Sequence, residues 1–350
     1  MTKERNDLKP AAKLSAAALA RALGVSPAAV SYALHGLPGV SDETRERILR
    51  GAAEGGLHVL PQELAAHRPV LGLALADVGN PFYSELAISV TDAARAEGFE
   101  VFISSTNDQQ VAFEASVSTM VEHRVDGALL TAMDSRNASV CRTLNAAHIP
   151  FVQLSRRMEG VKADFVGIDD FAAGQEITNH MLGHGYRRVA LVTGLTTSSA
   201  SNRRAAGFRS ALKEAGVELP RAWNVRGGLN EADGVRAAEH LLGQPELPEA
   251  IVCGTDAIAL GVLSVFNQRG MSVPGDVAVS GFDGLTSSRT SLVGLTTVIQ
   301  PRHSMAAEAV RLLVRRLKTP SAPPQSVECM YQLFIGRTCG CATEIEKKHV

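Results

Sequence analysis

Apolar and polar positions follow two different rhythms along this chain, and the change falls near residue 70. Before it, apolar residues recur at helical spacing in three short segments. After it, short apolar runs alternate with amphipathic stretches, as where "VLGLALA" at 70–76 precedes a helical pattern from Pro81 to about Glu97. The pattern therefore predicts a small all-helical domain followed by strands that alternate with helices.

The middle helical segment, "GVSPAAVSYALHG" at 24–36, has clear start and stop signals. Ser26 suits the N-cap and Pro27 the first helical position, while Gly36 is placed to end the helix. Its face opposite Val30 offers few long polar side chains, which leaves the purpose of so short a helix open at this point.

The flanking helical segments begin at the N-cap candidates Ser15 and Ser41 and end at Gly24 and at Gly55-Gly56. We expect the three helices to close one very small core. Its predicted members are the apolar residues Leu19, Leu23, Val25, Val30, Leu34, Val40, Ile48 and Leu49.

Beyond residue 70 the alternation of strand and helix predicts parallel sheets with helices on both faces. About ten such units exceed one sheet, so we expect two α/β lobes. The clearest predicted strands are 70–76, 99–104, 126–131, 149–155, 163–169, 187–193, 250–255 and 276–282. The Pro/Ser-rich segment "KTPSAPPQS" at 318–326 is expected to cross between the lobes.

Composition narrows the class of protein without deciding its function. The 350 residues are 45% hydrophobic and 20% charged with a formal net charge of −1, as in a globular protein of two or three domains without a global basic field. Residues 1–69 hold nine Lys/Arg against seven Asp/Glu, a mild excess. The charged first ten residues, the lack of a long apolar run and five scattered cysteines predict a cytoplasmic protein with reduced thiols.

The sequence motifs of common enzymes are absent. There is no G-x-x-x-x-G-K-[ST] loop, no G-x-G-x-x-G after a strand, no G-x-S-x-G elbow and no H-E-x-x-H pair. We therefore expect no catalytic residues and no cofactor.

Two pairs of residues resemble halves of metal sites. His180 and His184 share a helix face at i, i+4, but no third ligand lies near them in sequence. Cys339 and Cys341 are spaced more closely than the usual zinc-binding pair. Ordinary surface or capping histidines and free thiols are the favoured interpretations, and no metal is expected.

Two helices joined by a tight turn form a helix-turn-helix pattern, which also serves in protein contacts. The longer stretch "LARALGVSPAAVSYALHGLPGVSDETRERILRGAAEGG" closely resembles the N-terminal domain of the LacI/GalR family of bacterial transcription regulators. The stretches "DVGNPFYSELAISVTDAARAEGFEV", "IPFVQLSRR", "GHGYRRVALVTG" and "TDAIALGVLSVFNQRGMSVPGDVAVSGFDG" are similar to that family's effector-binding core, in the same order. The resemblance runs from about residue 13 to 338.

The resemblance implies an α/β two-lobed core of periplasmic-binding-protein type, two parallel sheets flanked by helices, behind an N-terminal all-α helix-turn-helix domain. The expected boundaries are 1–58 for the DNA-binding domain, 59–69 for a hinge and 70–345 for the core. Within the core, lobe 1 is expected at about 70–158 plus 291–320, and lobe 2 at about 159–290 plus 325–345. The chain is expected to cross between them near 155–162, 284–291 and 318–326.

For DNA, the resemblance implies a homodimer, or a higher oligomer, on a near-palindromic double-stranded operator. It places Pro27, Ala28 and Tyr32 toward the bases, where many relatives carry Arg in place of Tyr32. The alternative for Tyr32 is a half-buried place in the helical core. The expected contacts to phosphate or to the helix end are Ser26, Ser31, Ser41, Thr44 and Arg45.

The resemblance also implies a hinge helix whose leucine wedges into the minor groove. Here the segment "LHVLPQELAAHRPVLG" is short, lacks the customary Pro-Asn start and has Ala66 at the counted wedge position. Leu64, after Pro61, is the candidate substitute; otherwise the hinge does not insert.

Between the lobes the resemblance implies a small-molecule effector held by Arg204, Asp283 and Gln300, with apolar walls from Phe165 and from Phe82 or Tyr83. A surface salt bridge is the alternative for Arg204, and a turn position for Asp283. Thr255 and Ser155 stand where relatives often have Asn and Asp. A hexose is therefore not assured, and a pentose or other sugar, a polyol, a nucleoside or a sugar acid remains open.

Two other classes of protein share parts of this pattern. A periplasmic sugar receptor would have the core but a signal peptide instead of the helical domain. An α/β enzyme with a helical extension would need a catalytic constellation in its cleft. The sequence favours an effector-responsive repressor over both.

Overall fold

The computed structural model describes residues 15–34, 39–54, 69–131, 134 and 136–341. The chain divides into two compact units, Met1–Arg68 and Pro69–Val350. We call the described part of the first unit the head and that of the second unit the body. The predicted hinge residues Pro61, Leu64 and Ala66, like the predicted helix end at Gly36, lie outside the described residues.

The head consists of three helices, α1 (Ala16–Leu23), α2 (Pro27–Leu34) and α3 (Asp42–Glu54). Ser15 caps α1 by accepting a hydrogen bond from the amide of Ala18, as its position predicted. Gly24 then adopts φ +66°, a left-handed conformation that glycine accepts without strain and that turns the chain sharply into α2.

The head buries the predicted apolar residues Leu19, Val30 and Ile48, with Leu23, Val25, Leu34 and Val40 packed at the edge. It also buries three alanines that were not among the predicted core members, Ala20, Ala33 and Ala52. Leu49 is half-buried outside this cluster. Small side chains let three short helices approach closely, which explains why so few large apolar residues suffice.

The first lobe of the body contains a six-stranded sheet in the order β11-β5-β4-β3-β1-β2, and all its pairs are parallel. The strands are β1 (Val70–Leu75), β2 (Glu100–Ser105), β3 (Gly127–Leu130), β4 (Phe151–Leu154), β5 (Asp164–Gly167) and β11 (Ser326–Glu328). Four helices belong to this lobe: α4 (Pro81–Ala96), α5 (Gln110–Glu122), α6 (Ser139–Ala146) and α11 (Arg302–Lys318).

The second lobe repeats this arrangement with a sheet in the order β12-β10-β9-β8-β6-β7. Its strands are β6 (Val189–Thr193), β7 (Asn224–Arg226), β8 (Ala250–Cys253), β9 (Ala278–Asp283), β10 (Thr296–Ile299) and β12 (Gln332–Phe334). Its helices are α7 (Asp170–Gly183), α8 (Ser199–Glu214), α9 (Glu231–Leu242) and α10 (Asp256–Gln268), with a 3-10 turn at Arg221–Trp223. Only β12 departs from the expected parallel pairing among the described strands, since it runs antiparallel to β10.

The predicted lobe boundaries are wrong at three strands. β11, expected in the second lobe, pairs with β5 through Ser326 and Phe165 and so lies in the sheet of the first lobe. β5 pairs with β4 through Val152 and Asp164, so it belongs to the first lobe rather than the second. β10 pairs with β9 through Thr296 and Ser280, so it belongs to the second lobe rather than the first. The chain therefore crosses between lobes after β5, after β10 and after β11, each later than expected. The alternation of apolar runs and amphipathic stretches predicts where strands lie, but the hydrogen-bonded pairing of strands determines the sheet to which each belongs.

No single helix in the described part of the chain is long and apolar enough to cross a membrane. The first two helices pass a length and composition test only when joined, and they bend by 113° at their break.

Candidate DNA-reading face and effector cleft

Helix α2 has one buried and one exposed face. Val30 and Ala33 are buried in the head, while Pro27, Ala28, Ser31 and Tyr32 are exposed. Tyr32 retains 43% of its surface and is not a member of the buried cluster, so the alternative of a half-buried core position does not apply. The exposed set consists of the three positions predicted to face DNA bases, Pro27, Ala28 and Tyr32, together with Ser31, which was predicted to contact phosphate.

The serines predicted at the helix starts act as caps. The Ser26 hydroxyl accepts a hydrogen bond from the amide of Ala29 at 3.1 Å. The Ser41 hydroxyl accepts one from the amide of Thr44 at 3.4 Å and donates one to the Thr44 hydroxyl at 2.9 Å. Both serines are exposed at helix N-termini, where amide groups and the helix dipole favour an anion.

Arg45 has a role that the sequence analysis did not foresee. Its Nη1 donates to the carbonyl oxygens of Tyr32 at 3.3 Å and Ala33 at 3.5 Å. Cations near the last carbonyls of a helix are stabilising there. Arg45 therefore ties α3 to the end of α2 and fixes the presentation of the exposed face.

The predicted effector residues of the body gather where strands of both sheets end. Ser155 follows β4, Thr255 follows β8, Asp283 ends β9 and Gln300 follows β10. In open parallel sheets, ligands bind at the carboxyl ends of the strands. The sequence resemblance therefore named residues that the fold brings to one edge of each lobe.

Arg204, on α8, is the centre of this cleft. Its Nε donates to Asp170 Oδ1 at 2.8 Å, and its Nη1 donates to the carbonyl of Gly254 at 3.0 Å and to Asp283 Oδ1 at 3.2 Å. All three charged side chains are buried. The alternative of a surface salt bridge is thus excluded by the burial. Asp170 was not identified from the sequence, because nothing local marks it as the partner of a residue 34 positions away.

Asp283 is held from several sides. Besides Arg204, Gln300 Nε2 donates to its Oδ1 at 2.7 Å, and Arg302 Nη1 donates to its backbone carbonyl at 2.6 Å. Burial raises the pKa of Asp283 to about 7, against the opposing attraction of Arg204.

Two residues at the strand ends of this cleft have backbones in the left-handed half of conformational space. They are Ser155 at φ +67° and Asp283 at φ +127°. Non-glycine residues held in such conformations cluster at binding sites. Ser155 and Asp283, with these unusual backbone conformations, therefore lie at the same strand ends as the buried charged side chains.

An aromatic wall closes the cleft from the first lobe. The rings of Phe82 and Tyr83 meet edge to face with centroids 5.1 Å apart, at the start of α4. Burial raises the pKa of Tyr83 to about 12, so the phenol is neutral at physiological pH. Arg156, paired with Asp108, lies 5.5 Å from the centre of the Tyr83 ring.

The two lobes contact each other around the cleft. The Asn80 amide donates to the carbonyl of Leu229 at 3.0 Å, and the amide of Arg157 donates to the Ser199 hydroxyl at 2.7 Å. Between the closed lobes there remains a cavity with a volume of only about 20 Å³. That is close to the space needed by one water.

Most predicted ligand residues line this cavity, namely Phe82, Tyr83, Ser155, Arg204, Thr255 and Asp283. Gln300 reaches it through its hydrogen bond to Asp283. The predicted ligand residue Phe165 does not line it; its ring lies 4.0 Å from the guanidinium of Arg157 instead. Asn80, Arg156, Ser198, Ser201 and Leu229 also line the cavity.

A larger cavity of about 580 Å³ lies elsewhere, between Ile149, Lys162 and Arg316 in the first lobe. It is lined by none of the predicted ligand residues. Convergent buried polar groups, rather than volume, therefore identify the candidate binding cleft.

Comparison with known proteins agrees with this geometry. Residues 68–315 match the family model described as periplasmic binding proteins and sugar binding domain of LacI family. The chain is 29% identical over 325 residues to the HTH-type transcriptional repressor PurR of Erwinia tasmaniensis, covering 91% of this chain and 94% of that one. It is 29% identical over 308 residues to the ribose operon repressor of Haemophilus influenzae, covering 87% and 92%.

A solved structure described as the transcriptional regulator CelR-cellobiose complex is 27% identical, with a TM-score of 0.70 over 93% of this chain and 99% of that one. The relatives named here are repressors and regulators, not enzymes. Since the family model spans more than half of the sequence, this chain belongs to the LacI family of transcriptional regulators.

Proposed function

We propose that this protein is a cytoplasmic repressor that binds a near-palindromic operator as a homodimer and releases or tightens it when a small sugar-like effector enters the interlobe cleft. The observation that carries the proposal is the buried junction of Arg204 with Asp170 and Asp283 at the cleft, in a body separate from a helix-turn-helix head.

For DNA recognition, α2 is the element that enters the major groove. Pro27 and Ala28 offer apolar surface to thymine methyl groups, and the Tyr32 hydroxyl offers one hydrogen bond to a base edge. Ser31, Ser41 and Thr44 bind backbone phosphates. Arg45 acts on this interface mainly by holding the end of α2. Leu64 remains the proposed wedge of the hinge.

For the effector, Asp283 accepts hydrogen bonds from neighbouring hydroxyls while Arg204 donates to a ring oxygen or a carboxylate. Among the relatives, one is named for a ribose operon and one structure is described with cellobiose. These names favour a sugar, with a pentose first, over a polyol, a nucleoside or a sugar acid.

Effector binding requires the lobes to move, because the closed cleft is too small for a sugar. Cavities for small ligands measure about 300–1,000 Å³, whereas this closed cleft has about 20 Å³ of room. A monosaccharide therefore requires Phe82 and Tyr83 to move away from Arg204, which strains the contacts Asn80–Leu229 and Arg157–Ser199. A ligand that prefers the separated lobes shifts the population between two body states, and DNA must by linkage affect the ligand equally.

The test compares the full chain with a chain of residues 69–350. Fluorescence anisotropy with a random duplex pool measures DNA binding, and a thermal shift panel of ribose, xylose, glucose, cellobiose, ribitol, gluconate and adenosine measures effector binding. We expect DNA binding only in the full chain and the same stabilising ligand in both chains.

The Arg204→Met and Arg203→Met variants give a matched pair of ligand controls, since Arg203 is exposed on the same helix. We expect only Arg204→Met to abolish the shift. DNA binding by residues 69–350 alone, or a ligand shift unaffected by Arg204→Met, contradicts the proposal.

A further inference from the structure

Two pairs of residues that are far apart in sequence meet in the second lobe. His180 lies near the end of α7 and His184 caps that helix, while Cys339 and Cys341 follow β12 in the C-terminal segment. The candidate ligand atoms of these four side chains all lie within 4.8 Å of one another. From the sequence, the histidine pair had no third ligand nearby and the cysteine pair was too closely spaced for a usual zinc site.

The contacts within this cluster, His180, His184, Cys339 and Cys341, converge on one point. Cys341 Sγ lies 3.3 Å from His184 Nε2 and 3.9 Å from His180 Nε2. The two imidazole rings meet edge to face with centroids 5.0 Å apart. Cys339 is fully buried and the other three side chains are half-buried, so the cluster is shielded yet reachable.

Hydrogen bonds of the backbone fix the cysteine segment independently of the four side chains. The amide of Val279 donates to the carbonyl of Thr338 at 2.9 Å, and the amide of Thr296 donates to the Thr338 hydroxyl at 3.0 Å. The Tyr186 hydroxyl donates to the carbonyl of Cys339 at 3.1 Å. The segment is therefore anchored at the starts of β9 and β10.

The glycine between the cysteines is required by this geometry. Gly340 has φ +98°, and a Cβ there would lie 3.0 Å from the Tyr186 hydroxyl. Only glycine allows the turn to adopt this conformation and to approach Tyr186 and His184 this closely. The turn thus presents both thiols to the two imidazoles.

We propose that His180, His184, Cys339 and Cys341 bind one zinc ion that fastens the C-terminal segment to α7. Two thiolates and two imidazoles are a common tetrahedral donor set of structural zinc, and soft sulfur ligands disfavour magnesium and calcium. Around zinc such donors stand about 3.3–3.8 Å apart, as follows from bond lengths of about 2.0–2.3 Å. The observed separations need contract by only about 1 Å to reach this geometry.

The proposed zinc site is distinct from the effector cleft. Thr296, which anchors the cysteine segment, begins β10, whereas Gln300 follows the other end of that strand. At about 3.3 Å per residue the two ends are about 13 Å apart. The site therefore has a structural role, and it does not depend on which ligand the cleft binds.

The experiment uses the full chain purified under reducing conditions and dialysed with zinc and then without it. Elemental mass spectrometry gives the zinc content of the wild type and of the Cys341→Ser and His180→Asn variants. Cys329→Ser is the matched control, because Cys329 is a half-buried free thiol outside the cluster. Circular dichroism checks that each variant folds.

We expect about one zinc per chain in the wild type and in Cys329→Ser, and little in the other two variants. Cobalt in place of zinc should give tetrahedral d–d bands and thiolate charge-transfer absorption that both cluster variants lose. Equal zinc content in all four chains, or a folded wild type that holds no zinc after purification under reducing conditions, would overturn the proposal.

Discussion

The head and the body place their functional residues in opposite ways. In the head, Pro27, Ala28 and Tyr32 are exposed and contribute little to the buried cluster around Val30 and Ile48. In the body, Arg204 and Asp283 are buried. Substitution of surface residues has little effect on the free energy of unfolding, whereas removing the partner of a buried charge lowers it strongly. The proposed recognition of DNA is therefore separable from folding in the head, while the proposed effector binding is coupled to stability in the body.

The largest expected effect is that of Arg204→Leu on the body. It leaves Asp170 and Asp283 buried without the cation that both contact, which is expected to lower the free energy of unfolding by about 3–5 kcal/mol. The control Arg203→Leu removes an exposed pair with Asp169 and should cost about 0–1 kcal/mol. Urea titration of the body transition measures both, and equal losses would show that the junction is not a buried charge network.

Ile48→Ala should act on the head alone. Ile48 is fully buried among three short helices, so its truncation is expected to cost about 2–5 kcal/mol of local stability. Hydrogen exchange of peptides from 16–54 should accelerate and DNA binding should fall, with the body transition unchanged. Ile88→Ala, at a position 62% exposed, is the control. A shift of the body transition in Ile48→Ala would contradict the separation of the units.

The pH dependence of body stability tests the buried carboxyl. Burial raises the pKa of Asp283 to about 7, while an unfolded aspartate titrates near about 3.9. Between these values the folded state binds the extra proton, so the free energy of unfolding should fall as pH rises, by at most about 1.4 kcal/mol per pH unit. Asp283→Asn should remove this slope.

The measurement is the difference in melting temperature between wild type and Asp283→Asn from pH 5 to pH 8. Asp256, whose pKa burial also raises to about 6, is present in both chains and its contribution largely cancels. Parallel profiles for the two chains would mean that Asp283 stays ionised across this range.

Tyr32→Phe should have the smallest effect and only on DNA. It removes the one hydroxyl on the exposed face of α2 that reaches a base in our proposal, at a cost of about 0.5–1.5 kcal/mol in operator binding. Tyr331→Phe, which removes a hydroxyl bonded to Glu176 in the body, is the control. Anisotropy with the selected operator compares them, and equal affinity of wild type and Tyr32→Phe would exclude this contact.

Local signals in the sequence predicted most elements correctly. The Ser15 cap, the Gly24 turn and the start of α4 at Pro81 each follow from neighbouring residues. The short strands β7, β10, β11 and β12 were missed because three or four residues carry too little pattern. Assignment of β5, β10 and β11 to lobes failed since pairing is not local.

The proposed site residues also divide into those that the sequence predicted and those that only the fold brings together. Arg204 and Asp283, which both line the cleft cavity, were predicted as ligand residues through a family resemblance, which carries spatial information that the chain alone lacks. Asp170 and the joining of His180 with Cys341 could not be predicted, because each depends on residues brought together by the fold. The zinc proposal arises only where two weak sequence signals coincide in space.

The decisive measurement for operator recognition is the selection of bound duplexes from a random library by the full chain, sequenced at two salt concentrations. Nonspecific phosphate binding weakens steeply with salt, while base readout by a symmetric dimer is retained. We expect one enriched palindrome that persists at the higher salt and is lost with Tyr32→Ala or Ala28→Glu. Binding that fades with salt and enriches no sequence, with and without the stabilising ligand, would contradict it.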